Sequence, residues 1–150
     1  MKKSFIALFL TFSGFATSAY AQDELTYSKL MMNPDIKTEF KKMIGKQKLP
    51  KWVTEGGTYS PGYNVEIGGN KYVVMTSCKP HDCASQRIAV LYSPESKRLA
   101  GVFSTTDEME TNQKLQWLSI PDELSIDGKT ILFAALTGSL DNHPNSFNLK

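Results

Sequence analysis

Cysteine and histidine are scarce in this 150-residue chain, with two of each. Two cysteines exclude a disulfide-rich scaffold and any four-cysteine zinc site. A structural zinc built on Cys78, Cys83 and His81 would need a fourth ligand, and the only other imidazole is His143. The sequence lacks a glycine-rich phosphate loop and the Gly-x-Ser-x-Gly elbow of α/β hydrolases. Its fifteen acidic residues single out no glycosidase-type pair. Excess charge is missing too: 17 basic residues stand against 15 acidic ones. Without Lys2 and Lys3 the balance is even, which argues against a nucleic-acid binder held by phosphate contacts.

Only one apolar run is present, and it is N-terminal. Lys2 and Lys3 precede an apolar stretch from Phe5 to about Phe15, followed by Ala19-Tyr20-Ala21. Charged, apolar and small-x-small segments in that order read as a secretory signal peptide. The stretch falls short of the roughly 20 residues of a membrane span. The expectation is cleavage after Ala21, which leaves one domain over residues 22–150, exported to the periplasm, without a membrane span. Such a length can bury a sizeable core.

Residues 26–45 have helical spacing, with Asn33 placed to cap, Pro34 suited to a first turn, Ile36, Phe40, Met43 and Ile44 on one face, and Gly45 as a stop. Five strands follow: Tyr63–Ile67, a tight turn at Gly68-Gly69-Asn70, Lys71–Ser77, Gln86–Tyr92, Leu99–Ser104 and Lys114–Ser119. Short connections favour antiparallel neighbours. Ile131, Leu132, Ala135 and Leu136 mark a second helical segment ending at Gly138, and the tail from Asp141 to Lys150 reads as loop. The expected fold is α+β: a five-stranded antiparallel meander with helices packed on it. Trp52 and Trp117 are expected to be packing residues, His143 solvated, and the acidic group Asp107, Glu108 and Glu110 the cap of a strand connection.

Against this background one hexapeptide stands out: Cys78-Lys79-Pro80-His81-Asp82-Cys83. It holds both cysteines and falls between the second and third strands. Export to an oxidising compartment favours a disulfide, and the pairing has no competitor. The small ring constrains the unfolded chain by only about 2 kcal/mol on the chain-entropy model, so its main effect is local stiffness. Cys-x4-Cys is not the Cys-x-x-Cys of redox catalysts, and a bridged thiol is no nucleophile. Two readings stay open on these residues. A stiff tip presenting His81, an imidazole that donates and accepts hydrogen bonds, suits docking into a narrow polar cleft. Equally, the cysteines staple a surface hairpin and His81 is a bystander.

The hexapeptide also resembles the hallmark loop of the periplasmic inhibitor of vertebrate lysozyme (Ivy) family, at every position. The resemblance extends to Lys48-Leu49-Pro50-Lys51-Trp52-Val53, Gly56-Gly57-Thr58-Tyr59, Ser85-Gln86-Arg87-Ile88-Ala89-Val90, and the runs Leu124–Thr130 and Leu132–Leu140. It implies an inhibitor rather than an enzyme, with no cofactor. It implies insertion of the loop into the active-site cleft of c-type lysozyme, with His81 as the key contact, Cys78–Cys83 as the stiffener, and Lys79 and Asp82 tuning the rim. Lytic transglycosylases, which share the substrate and a catalytic acid, are the alternative target, and an exported redox or metal-binding module is the alternative class. Assembly varies in the family, and the expectation leans towards a homodimer.

Overall fold

The computed structural model describes residues 25–109 and 111–149. The signal-peptide segment, residues 1–21, lies outside the described residues. Helices α1 (Tyr27–Met32), α2 (Pro34–Ile44) and the single turn α3 (Trp52–Glu55) come first. Strands β1 (Thr58–Tyr59), β2 (Tyr63–Ile67), β3 (Asn70–Cys78), β4 (Gln86–Tyr92), β5 (Leu99–Thr106) and β6 (Gln113–Leu118) form the sheet. Helices α4 (Asp127–Thr137) and α5 (Ser139–Asn142) follow it.

The sheet is antiparallel, in the order β1-β3-β4-β5-β6, with β2 also paired to β3. The five expected strands are all present, and the two-residue β1 is a sixth. It pairs Thr58 with Cys78 and Tyr59 with Ser77, at the very root of the hexapeptide. Gly68 and Gly69, at φ 54° and 76°, make the β2–β3 turn. Two consecutive left-handed residues suit the right-handed twist of a hairpin, and glycine adopts them without steric cost.

Helices cover both faces of this sheet. On one face α4 sets Ile131, Leu132, Ala135 and Leu136 against Val74, Ala89, Leu91, Ala100 and Val102. On the other, Leu30, Ile36, Phe40, Met43 and Val53 of α1–α3 pack against Met75, Ile88, Val90, Tyr92 and Phe103. Alternate β4 side chains therefore enter opposite cores, which is why Ile88–Tyr92 is continuously apolar rather than alternating. Tyr27 donates its hydroxyl to the Val53 carbonyl at 2.8 Å, and burial raises its pKa.

Two expectations are corrected. The helical segment 26–45 is two helices, because Asn33 is extended (φ −80°, ψ 120°) and accepts from the Asp35 and Ile36 amides. The residue before a proline is pushed out of the α region, so Asn33 breaks the helix as it caps the next. The tail is not a plain loop. After Gly138, left-handed at φ 78°, come α5, a 3₁₀ turn over Pro144–Phe147, and a parallel bridge of Leu149 to Ile67.

Candidate functional site: a braced hairpin tip

The hexapeptide connects β3 to the central strand β4, and both strands send side chains into both cores. Cys78 ends β3 opposite Arg87 of β4, and Gln86 opens β4. Cys78 and Cys83 are bonded, with Cα atoms 4.8 Å apart. Their ring closes a narrow finger at the sheet end.

Inside the ring the Asp82 amide donates to the Lys79 carbonyl at 3.0 Å. Lys79-Pro80-His81-Asp82 is thus a hydrogen-bonded turn, with proline second and His81 third at φ 62°. A positive φ at the third position after a proline, whose φ is negative, is the type II pattern, where glycine or asparagine is usual at the third position. His81 therefore sits in a left-handed conformation, uncommon for a residue with a Cβ. This geometry turns it outward: His81 is exposed, while Cys78, Lys79, Asp82 and Cys83 are half-buried. The Pro-x-Asp pattern was the available signal for this turn.

Side chains brace the tip. Asp82 Oδ2 accepts from Lys79 Nζ at 2.8 Å and from Ser85 Oγ at 2.5 Å. These bonds, led by the one from Lys79, hold the Asp82 carboxyl below its ordinary range. Lys79 and Asp82 are thus bound first to each other, a clamp that sequence reasoning treated only as rim. The Lys79 amide donates to the Gln86 carbonyl at 3.1 Å, and the Thr106 amide to the Ser85 carbonyl at 2.8 Å. Trp52 Nε1 donates to Gln86 Oε1 at 2.8 Å and its ring lies 6.1 Å from that of Phe103, so the expected packing role of this tryptophan extends to the loop base. Trp117 is half-buried with Lys129 Nζ 5.5 Å from its ring centre, and His143 is exposed.

Among the described residues no group of three or more His, Cys, Asp or Glu side chains is placed to hold a metal ion, and no helix is long and apolar enough to cross a membrane. The exposed imidazole on a disulfide-closed turn is the distinctive chemistry.

The sequence around this tip matches a known pattern. The family model described as inhibitor of vertebrate lysozyme (Ivy) covers residues 35–137, more than half of the chain. The chain belongs to the Ivy family. That family is one of inhibitors, not enzymes. A relative from Escherichia coli K12, named inhibitor of vertebrate lysozyme, is 56% identical over 135 residues, spanning 90% of this chain and 86% of its own length. A relative of the same name from Pseudomonas aeruginosa is 31% identical over 86 residues, 56% of each chain. The Ivy match encloses the whole hexapeptide together with Trp52, Arg87 and α4.

Proposed function

We propose that this protein inhibits c-type lysozyme by placing the Cys78–Cys83 loop in the enzyme's active-site cleft, with His81 bonded to the catalytic carboxyl groups. The observation that carries the reading is the exposed His81 at the third position of a cross-linked turn. Lysozyme cleaves glycosides with a protonated glutamic acid and an ionised aspartate. An imidazole between them can donate to the carboxylate and engage the acid, occupying the place of the scissile sugar. A pre-stiffened finger loses little freedom on docking, which favours tight binding.

The Lys79–Asp82 pair supports the same reading. Alone, Asp82 would bring a negative charge towards two catalytic carboxyl groups. Bound to Lys79 at 2.8 Å, it approaches as a neutral pair. Secretion with loss of residues 1–21 would put the inhibitor in the periplasm, between arriving lysozyme and the cell wall.

The test is a titration of lysozyme activity with wild type and His81→Ala. The expected loss of potency is about thirtyfold or more, the scale of an interface hot spot. Wild-type potency in the variant would overturn the assignment. A parallel assay against a lytic transglycosylase fixes the target class: equal inhibition there would show that lysozyme is not the specific partner.

A further inference from the structure

The Arg87 side chain joins the loop to the helix behind it. Its Nε donates to the Cys83 carbonyl at 2.6 Å, and its Nη1 donates to the Leu136 carbonyl at 2.8 Å. Cys83 closes the ring; Leu136 lies in the last turn of α4, just before the left-handed Gly138. Carbonyls of a final helical turn have no partner within the helix and carry the negative end of its dipole. A guanidinium suits such a junction, because its rigid fork serves two acceptors at a fixed spacing.

The surroundings make this a strut across a gap. Arg87 lines two surface hollows, of about 270 and 380 Å³, with Leu136 on the wall of each. The guanidinium bridges loop and helix beside these hollows. The other braces work differently. The disulfide and the Lys79–Asp82–Ser85 clamp stiffen the finger internally, and the Thr106 and Trp52 bonds secure its base. Arg87 ties the closing cysteine itself to α4, whose position is set by one of the two cores.

We infer that Arg87 is a positioning residue for inhibition: it fixes the direction of the His81 finger relative to the domain without touching the partner. This rests on the loop being the inhibitory element, and the experiment separates the two ideas. Arg87→Ala removes both bonds; Arg87→Lys keeps the charge and stem but cannot supply the fork. Each is titrated against lysozyme beside His81→Ala, with amide hydrogen exchange followed at Lys79, Asp82 and the β4 core. Both Arg87 variants are expected to weaken inhibition about tenfold, the effect of losing charge-assisted hydrogen bonds. Exchange should speed up at Lys79 and Asp82 and stay unchanged at Val90. Wild-type potency with protected loop amides in Arg87→Lys would overturn the strut while leaving the loop assignment intact, provided His81→Ala fails to inhibit. If His81→Ala inhibits normally, the loop assignment falls and this positioning role falls with it. Equal acceleration at Val90 would also count against it, marking Arg87 as a general stabiliser.

Discussion

Asp82 accepts the Lys79 ammonium across three residues of the same turn, at 2.8 Å, so the finger carries its own counter-ion. The pair makes the tip electrically quiet and leaves His81 as its distinguishing polar group. The predictions below follow from this arrangement and from the packing beneath it.

The clamp titrates on the acid side. A carboxyl held below its ordinary value contributes order that is fully present above the unfolded pKa and lost as pH falls through the folded one. Lys79 is the first cause of the Asp82 shift, ahead of Ser85. Carbon-detected NMR titration should place Asp82 below 3.8 in wild type and move it upward in Lys79→Ala. An Asp82 titration unchanged by that substitution would refute the clamp.

His81 trades backbone comfort for display. A left-handed residue with a Cβ costs about 1 kcal/mol, which glycine relieves in the folded state and partly gives back through a freer unfolded chain. His81→Gly should thus be no less stable than wild type in urea denaturation, yet be a poor inhibitor. A clear stability loss would mean that the imidazole holds the loop together instead of being presented by it.

Cys78→Ser combined with Cys83→Ser should still fold, because both cores lie below the loop, with a loss of about 2 kcal/mol or less. Calorimetry should find weaker binding to lysozyme with a larger entropic penalty. Unchanged affinity would remove the stiffening role of the disulfide.

Gly57 admits no side chain. A Cβ there would come within 2.6 Å of the Cys78 carbonyl and 2.9 Å of Trp52 Cε3, both at the loop root. Gly57→Ala should cost about 1–3 kcal/mol, as overpacking does, and weaken inhibition by shifting β1 off β3. Thermal denaturation and the lysozyme titration check the two effects together.

The β5–β6 connection has its own acid switch. Asp107 accepts from the Thr111 amide at 2.7 Å, the Thr111 hydroxyl at 2.9 Å and Asn112 Nδ2 at 2.8 Å, which lowers its pKa to about 2. Its contribution to stability should be complete above the ordinary value of 3.8 and fade as pH falls through about 2. Asp107→Ala should therefore be less stable than wild type at pH 6 and its equal near the bottom of that window. A constant difference across the range would show that the carboxylate is not the acting group.

Much of the architecture was legible because local rules and burial agree. Alternating or continuous apolar runs located all five main strands, Gly68-Gly69 the hairpin, and Gly138 the helix stop. Asp107 does cap a strand connection, as its acidic neighbourhood implied; Glu110 of that group lies outside the described residues. The misses have a common cause. The capping pattern at Asn33 does not by itself reveal that its extended backbone breaks the helix there. The tail looked like loop because its polar residues show no periodicity, yet Leu149 bridges to Ile67 and the Asn148 side chain accepts from the Glu66 amide, 82 residues away in sequence.

Composition and spacing by themselves determined an α+β chain with a cysteine-closed turn and one histidine inside it, since these depend on residue type and near neighbours. They left open whether that turn was a tool or a staple. Tertiary structure decided how the finger is held: the Lys79–Asp82 clamp, the left-handed set of His81, the Trp52 tie and the Arg87 bridge to α4. Those relationships link residues up to 49 positions apart, and only the packing of helices on both faces of the sheet brings such groups within bonding distance.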